Sequence, residues 1–300
     1  MRSWAAPPRR RKPSTCASPA RASEVAPALN LAGAGHVGRA LGRLFHASGV
    51  FAVQDVLTRS ADSARQAVDF IGAGTPASTL AAMRPARAWL LAVNDDQIAP
   101  VCAALAAAHD LKGAVIFHCS GAKASSELQA ARDAGALVAS VHPIRSFADP
   151  DKVAREFAGT FCGIEGDVEA LTLLEPAFAA IGARLVEIDP AAKTVYHAAA
   201  VFASNYLVTV LDASLRAYQA AGVPEEVARE LARPLAEETL ANVFRLGPAA
   251  ALSGPVARGD FATVARQQAA LTQWDAPTGQ LYEALVAPTT DLARRKPKQT

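Results

Sequence analysis

The chain has 300 residues, of which 51% are apolar, enough for one large domain or two smaller ones with sizeable cores. Its net charge of +2 combines +5 in the first 28 residues and +4 in the last eight with −7 in the residues between them. An acidic body argues against a nucleic-acid-binding protein. No uninterrupted apolar run reaches the eighteen or more residues of a membrane span, so no membrane association is expected.

The cysteines and the chain ends indicate a cytoplasmic protein. The four cysteines are scattered and form no CxxC pair, which predicts reduced thiols rather than a disulfide frame or a metal site; they are Cys16, Cys102, Cys119 and Cys162. Residues 1–27 are rich in Pro, Ser and Arg and lack the apolar segment of a secretory signal. A disordered basic tail is therefore predicted at 1–27 and a second basic tail at 294–300, with a nucleic-acid-binding arm as the alternative for the first.

From residue 28 to residue 189, apolar strand patterns alternate with helix patterns. Strands that are apolar along their whole length and alternate with helices predict a doubly wound, mostly parallel sheet of the Rossmann type. The predicted strands are ALNLAGAG, FAVQDVLTRS, AWLLAVND, GAVIFHCSG, GALVASVHP, GTFCGIEG and ARLVEID.

After Asp189 the strand patterns stop. Helix patterns then follow one another, over 190–221, 224–246, 261–272 and 279–294. The chain is therefore predicted to join an NADP-binding α/β domain at 28–189 to an all-helical substrate domain at 190–293. The long apolar helices favour a homodimer formed through the helical domain.

The first strand pattern runs directly into a glycine motif. Gly33, Gly35 and Gly38 form G-x-G-x-x-G, and a helix pattern begins within the motif at His36 and Val37. In a dinucleotide-binding fold the first glycine permits the tight turn, the second lets a pyrophosphate approach the backbone, and the third lets helix and strand pack closely. All five residues are expected to contact a dinucleotide.

The end of the second strand predicts which dinucleotide binds. An NAD site places an acid about twenty residues after the glycines to bind the ribose 2′-hydroxyl. That place holds Thr58, Arg59 and Ser60, whereas Asp55 comes three residues early and is expected to lie within the strand. Two hydroxyls and a guanidinium suit a 2′-phosphate, so NADP is predicted. The alternative is that Arg59 is only a solvated loop charge.

Further polar residues follow the later strands. Open α/β sheets bind ligands at the carboxyl ends of their strands. Val93 and Asn94 are therefore expected to contact the cofactor, and Ser120 and His142 the substrate. The alternative for His142 is a loop position stiffened by the following proline. The neighbouring Cys119 is interpreted as a small buried thiol rather than a nucleophile.

The helix pattern that begins after Asp189 carries polar side chains among apolar ones. At about 100° per residue, Lys193, His197 and Ser204 lie within about 40° of one another, with Asn205 at the edge of this stripe. The helix dipole disfavours a cation in the first turns, and a broken local rule often marks function. The alternative is that the lysine extends to solvent and the histidine is a satisfied core residue.

Six segments resemble a known family: GAGHVGRAL, LLAVNDDQI, FHCSGA, SVHPIRSF, KTVYHAAAVFASNY and SGPVARGDF. The family joins a Rossmann-like domain to a C-terminal domain of unknown function 2520, within the 6-phosphogluconate dehydrogenase-like superfamily, and the resemblance covers residues 29 to 290. Related members are β-hydroxyacid dehydrogenases, prephenate dehydrogenases and pyrroline-5-carboxylate reductases. The resemblance implies a catalytic role for Lys193, which matches the β-hydroxyacid dehydrogenase lysine, whereas His197 stands where those enzymes carry an asparagine.

Together these patterns predict an NADP-dependent oxidoreductase that acts on a small carbonyl or hydroxyl substrate. Lys193 is the first choice of proton donor and His197 the second, with Ser120, His142 and Asn205 holding the substrate. Two alternatives stay open. One is an imine reductase of the pyrroline-carboxylate type, because an iminium already carries its proton. The other is an NADP(H)-binding sensor without turnover.

Overall fold

The computed structural model describes residues 25–296, so the predicted tail residues 1–24 and 297–300, together with Cys16, lie outside the described residues. Eight strands form one sheet. They are β1 (Ala28–Ala32), β2 (Ala52–Leu57), β3 (Thr75–Ala77), β4 (Ala88–Leu91), β5 (Val115–His118), β6 (Leu137–Pro143), β7 (Phe161–Gly166) and β8 (Arg184–Glu187).

The strands lie across the sheet in the order β3-β2-β1-β4-β5-β6-β7-β8. Neighbouring strands are parallel except for β6 and β7, which are antiparallel. His118 pairs with Ser140, and Ser140 in turn pairs with Glu165. This register places three polar side chains in one row across β5, β6 and β7. One step further along β6, His142 pairs with Gly163.

Helices connect the strands on both faces of the sheet. They are α1 (His36–Ser48), α2 (Ala61–Ile71), α3 (Ile98–Ala108), α4 (Gln129–Asp133), α5 (Pro150–Arg155) and α6 (Val168–Ala180). Local residues mark the C-terminus of α1 and the N-terminus of α2. Gly49 ends α1 in the left-handed conformation with φ 71°, and the hydroxyl of Ser60 accepts a hydrogen bond from the Ser63 amide at the start of α2.

The core lies on the two faces of the sheet. Strands β4 and β5 are buried at every position, as expected for parallel strands covered on both sides. One apolar cluster contains Phe45, Phe117 and Phe178, and a second contains Trp89 and Ile116. Full burial of one such side chain contributes roughly 1.5–3 kcal/mol. The packed core on the two faces of the sheet therefore fixes the positions of the strand ends, where the polar residues lie.

The rest of the chain is helical. Its helices are α7 (Lys193–Val201), α8 (Leu207–Ala220), α9 (Glu225–Leu246), α10 (Pro248–Ala251), α11 (Phe261–Trp274) and α12 (Ala276–Arg294), with a π-helical turn (Phe202–Tyr206) and two 3₁₀ turns (Pro190–Ala192 and Val256–Arg258). The chain divides into two compact units, of which one ends at His197 and the other begins at Ala198. This division reflects contact density, so the predicted domain bounds of 28–189 and 190–293 stay a prediction.

The predicted fold class is confirmed: a mostly parallel Rossmann-type sheet is followed by a helical C-terminal part. Three features were not predicted, namely the short β3, the reversed direction of β7 and the π turn. Strand direction is set by the connecting segment rather than by the apolar pattern. The π turn also means that the uniform rotation assumed for the polar stripe does not hold beyond Val201.

One helical stretch, Pro190–Ala220, is long and apolar enough to cross a membrane by length and composition, with a mean hydropathy of 1.4. It contains Thr, His, Ser and Asn residues, which is why no uninterrupted apolar run is found in it. A single stretch of this kind is weak evidence for a span, because core helices of water-soluble proteins pass the same test. The expectation of no membrane association stays a prediction.

Candidate active site

A cavity of about 570 Å³ lies at the carboxyl ends of β1, β2 and β4. Of the residues predicted to bind a cofactor, those that line it are Gly33, Gly35, Thr58, Arg59, Val93 and Asn94. The other predicted cofactor residues, His36, Val37, Gly38 and Ser60, belong to the same two loops and helix starts but do not line it. Arg39 and Ser63 line the cavity and were missed by the sequence analysis.

The glycine loop has the geometry that the motif predicts. Gly33 has φ +90°, and a Cβ there would lie 2.5 Å from the carbonyl oxygen of Ala92. A Cβ on Gly38 would lie 2.9 Å from both Ala92 Cβ and Gly33 O, so α1 packs closely on this turn. A Cβ on Gly35 would meet no protein atom within 4 Å. Packing therefore requires the first and third glycines, whereas the second faces open space that a ligand can fill.

Hydroxyl groups and cations gather at the end of β2. Thr58 Oγ1 and Ser63 Oγ lie 2.5 Å apart, and Ser60 Oγ lies 2.9 Å from Ser63 Oγ. Arg59 is exposed and makes no hydrogen bond or ion pair with another side chain in the described part of the chain. Arg39 reaches the same cavity from α1. Two guanidiniums beside a hydroxyl cluster form an arrangement suited to an anion.

Asp55 does not belong to this anion site. It lies inside β2 with a side chain that is 5% exposed. Its carboxylate accepts hydrogen bonds from the Arg84 backbone amide at 2.7 Å and from Arg84 Nη2 at 2.6 Å. Asp55 therefore ties β2 to the segment before β4 and is not a free ribose partner.

A second polar cluster is formed by the row of polar side chains on β5, β6 and β7 together with Lys193. Lys193 Nζ donates to Glu165 Oε1 at 2.9 Å and to Ser140 Oγ, and both charged side chains are 2% exposed. The Glu165 carboxylate also accepts from Ser125, through its amide at 2.8 Å and its hydroxyl at 2.7 Å. The lysine that the sequence analysis chose as proton donor is thus enclosed in a buried ion pair. Its donor role stays a prediction.

His118 completes this buried cluster in the neutral state. Its Nδ1 accepts the Ser120 amide at 3.2 Å, so the ring hydrogen is on Nε2, which donates to the Ala124 carbonyl at 3.1 Å. Burial lowers the pKa of His118 to about 4. Protonation of Nδ1 would break the bond to Ser120. His118 therefore supports the loop after β5 and is not placed as an acid.

His142, Tyr196 and His197 meet next to this buried cluster. His142 Nδ1 lies 3.0 Å from the Tyr196 hydroxyl, and the His142 and His197 rings meet edge to face at 5.6 Å. His197 Nδ1 is buried without a hydrogen-bond partner in the described residues. A Cβ on Gly121 would overlap His197 Nδ1 and lie 2.7 Å from His142 Nε2, and a Cβ on Gly163 would lie 2.5 Å from the Tyr196 hydroxyl. Both glycines therefore make room for the three rings.

Burial controls the protonation of this ring cluster. It lowers the pKa of His142 to about 4, and the nearby His197 and Lys193 act in the same direction. It raises the pKa of Tyr196 to about 12, so the phenol keeps its hydrogen. In the tautomer in which this phenol donates to His142 Nδ1, the imidazole carries its own hydrogen on Nε2. At neutral pH the pair has no net charge.

The remaining predicted residues have other surroundings. The Ser120 hydroxyl accepts the amides of Ala122 at 3.2 Å and Lys123 at 3.0 Å and so closes the turn after β5. Burial raises the pKa of Cys119, which keeps its thiol protonated, as expected for a residue that is not a nucleophile. Asn205 lies in the exposed π turn of the second compact unit, and its place in the site stays a prediction.

In the two clusters beside β6 and β7, Tyr196 and Glu165 are residues that the sequence did not predict, in addition to Arg39 and Ser63 in the cavity. Glu165 carried a signal, because a charged residue inside an apolar strand needs a buried partner. Tyr196 lies between Lys193 and His197 in the sequence. Its phenol can be recognised as part of the site only from the structure, which places Gly163 against it.

Comparisons with known proteins agree with this architecture. A Rossmann-like domain matches residues 16–143, and the domain of unknown function DUF2520 matches residues 160–289. No curated protein matches the sequence. Among solved structures, protein TM1727 from Thermotoga maritima is 27% identical, with a TM-score of 0.69 over 89% of this chain and 98% of that one.

Two further structures share the fold at lower identity. Protein BF3122 from Bacteroides fragilis, provisionally named an NADP oxidoreductase, is 21% identical with a TM-score of 0.71, over 89% of this chain and 98% of that one. The Myxococcus stipitatus imine reductase, solved in complex with NADP+, is 16% identical with a TM-score of 0.63, over 89% of this chain and 93% of that one. The two domain matches show that the chain joins a Rossmann-like domain to a DUF2520 domain, which is the domain pairing that the resemblance predicted.

Proposed function

We propose that the protein is an NADP-dependent oxidoreductase that transfers hydride between the nicotinamide and a small carbonyl or hydroxyl substrate. The observation that carries this proposal is the cavity at the carboxyl ends of β1, β2 and β4. Gly35, which protein packing does not require to be glycine, faces this cavity, and Arg39 and Arg59 line it. The space and the donors suit the pyrophosphate and the 2′-phosphate of NADP. The NADP named for two of the structural relatives supports the same choice.

The residues at the end of β2 account for the choice between the two nicotinamide cofactors. Arg59 has no side-chain partner in the described residues, and the acids near it in sequence are already paired, Asp55 with Arg84 and Asp62 with Arg65. A 2′-phosphate would gain charge-assisted hydrogen bonds from Arg59 and from the hydroxyls of Thr58 and Ser63. Asp96 also lines the cavity but follows β4, so among the described residues the end of β2 offers a ribose 2′-hydroxyl no unpaired carboxylate. This supports NADP over NAD.

The proton chemistry is assigned to His142 and Tyr196. When bound, NADP(H) supplies the hydride, and reduction of a carbonyl also requires a proton at oxygen. In this proposal His142 Nε2–H donates to the substrate oxygen while Tyr196 returns a proton to Nδ1 across their 3.0 Å hydrogen bond. The phenolate then recovers a proton from solvent. His197 Nδ1, buried without a partner in the described residues, would hold a second polar atom of the substrate.

Imine reduction is the second candidate function. An iminium carries its proton already, so its reduction needs no proton donor at the moment of hydride transfer. The low pKa of His142 favours this candidate, because it keeps the ring neutral at physiological pH. A neutral ring offers the substrate a hydrogen bond but is not a strong acid. The fold shared with the Myxococcus stipitatus imine reductase supports the comparison.

Turnover assays test the proposal. NADPH oxidation is followed by absorbance with a panel of aldehydes, ketones, 2-oxo acids and cyclic imines. Tyr196→Phe is expected to lower carbonyl turnover by roughly 10²–10⁴ and imine turnover much less, since only the first needs the relay. Full carbonyl turnover in this variant would contradict the assignment. Binding of NADPH without turnover on any substrate would favour the sensor.

We also propose that the protein is a homodimer that associates through its helical part. Large apolar side chains are exposed there, including Phe202, Val208, Leu235 and Phe244, which range from 61% to 86% exposed. Where exposed apolar side chains form a contiguous patch, the patch often marks an interaction site, so this part of the chain is the one proposed to associate. Sedimentation equilibrium is expected to give twice the chain mass of 31.1 kDa, and a monomer mass at micromolar concentration would contradict the proposal.

A further inference from the structure

The pair of Lys193 and Glu165 is buried, and its hydrogen bonds in the described residues are made within the protein. Lys193 Nζ is directed at Glu165 and Ser140, and Glu165 accepts from Lys193 and twice from Ser125. Both charged side chains are 2% exposed. A proton donor has to come within hydrogen-bond reach of the reacting atom. An enclosed ammonium, paired on one side and hydrogen-bonded on the other, does not meet that condition.

The position of Lys193 in α7 suggests what the pair does instead. Tyr196 and His197 follow Lys193 by three and four residues, so they lie one turn further along the same side of the helix. Lys193 is the first residue of α7 and directly follows a short 3₁₀ turn, Pro190–Ala192, which the Asp189 side chain caps. The bond from Lys193 to Glu165 on β7 fixes both the position and the rotation of the first turn of α7. The rotation determines whether the Tyr196 hydroxyl reaches His142.

The contacts around the two rings leave little tolerance for rotation. The Tyr196 hydroxyl lies over Gly163, where a Cβ would be only 2.5 Å away, and Nδ1 of His197 lies against Gly121. Gly163 belongs to the same strand as Glu165, two residues earlier. The ion pair and the ring cluster are therefore two successive contacts between α7 and β7.

We propose that Lys193 and Glu165 form a positioning pair, which holds the first turn of α7 on β6 and β7 and thereby sets Tyr196 and His197 against His142, with neither charge transferring a proton. The catalytic importance of the ring cluster rests on the proposed function, whereas the anchoring of α7 by the ion pair does not. The experiment therefore measures ring position and turnover separately.

Four proteins are compared: wild type, Lys193→Met, Glu165→Gln and the double variant. Each single change leaves a buried group without its partner, so Tm is expected to fall by roughly 6–20 °C. The double variant removes both charges and is expected to recover more than half of the loss. A matched control is the half-buried pair Lys123 and Glu127, whose charged atoms lie 3.2 Å apart, replaced in the same way. Its Tm is expected to change by less than about 4 °C.

Imidazole ¹⁵N spectra read the position of the rings without any substrate. In the wild type and the control, His142 is expected to show one fixed tautomer with Nδ1 unprotonated. Lys193→Met is expected to shift both ring nitrogens toward averaged values, and the double variant to restore them. An unchanged His142 spectrum in Lys193→Met, with a lowered Tm, would overturn the positioning role and leave only a structural one.

Turnover then separates positioning from catalysis. The double variant is expected to keep kcat within about tenfold of the wild type, because its rings are in place, whereas Tyr196→Phe loses roughly 10²–10⁴. A double variant with restored Tm and restored spectra but with a loss as large as that of Tyr196→Phe would make Lys193 a catalytic residue and overturn the proposal. If the wild type has no turnover on any substrate, the proposed function fails, and the spectra alone decide on the anchoring.

Discussion

Gly121→Ala tests the ring cluster by adding one methyl group. Gly121 is not among the glycines with positive φ, so alanine fits its backbone without strain. The new Cβ would overlap His197 Nδ1 and lie 2.7 Å from His142 Nε2, whereas ordinary contact begins at 3.4 Å. The His142 ring therefore has to move by about 0.7 Å, and a shift of this size directed away from Tyr196 would stretch their 3.0 Å hydrogen bond beyond its range.

The expected result is a loss of turnover with the fold and the cofactor site intact. A misplacement of about 1 Å costs on the order of 10²-fold in rate, and overpacking costs about 1–3 kcal/mol of stability. NADPH affinity is expected to stay within about twofold, because Gly121 does not line the cofactor cavity. Stopped-flow kinetics, calorimetry and urea denaturation measure the three quantities.

Gly35→Ala serves as the matched control, with the opposite pattern. Its Cβ meets no protein atom, so stability and ring geometry are expected to stay unchanged while NADPH binding weakens. Full turnover in Gly121→Ala, or an equal loss of NADPH binding in both variants, would refute the reasoning about the ring cluster.

Two further predictions concern stability. His118 has a pKa lowered to about 4 by burial, whereas the unfolded chain has the ordinary value near 6.5 and binds the proton first as the pH falls. Between about pH 6.5 and 4, His118 is therefore expected to lower the free energy of unfolding by about 3 kcal/mol, and His142, whose pKa is also lowered to about 4, adds a similar amount; a flat profile in urea denaturation would contradict the buried neutral state of both rings. Asp55→Ala is expected to lower the free energy of unfolding by about 1–3 kcal/mol, because it leaves the Arg84 amide without its acceptor. The same change should leave the preference between NADPH and NADH as it is, and calorimetry that finds a changed preference would mean that Asp55 contacts the ribose.

The sheet was predictable because its chemistry is local. Buried parallel strands are apolar along their whole length, so β4 and β5 could be recognised from short runs such as AWLL and VIFH. The direction of β7 was not predictable, because an apolar strand has the same composition in either direction. The π turn was missed for a similar reason, since it carries the same kinds of residues as the α-helix around it.

The two sites differ in how far the sequence predicts them. The glycine loop is encoded in a short motif, and its geometry is the predicted one at Gly33 and Gly38. The partner of Lys193 depends on the register between β6 and β7, which brings Glu165 beside Ser140. No local pattern contains that register. For this reason the sequence located the lysine but not its ion pair.

The central claim is that the cavity binds NADP, and a titration at one fixed salt concentration tests it most directly. NADPH and NADH are titrated by calorimetry into the wild type and into Arg59→Ala. One or two charge-assisted hydrogen bonds to the 2′-phosphate predict a preference for NADPH on the order of 10- to 1000-fold, most of which Arg59→Ala should remove. Equal affinities, or tighter binding of NADH, would contradict the role of Arg59, and no binding of either cofactor would contradict the proposed function itself.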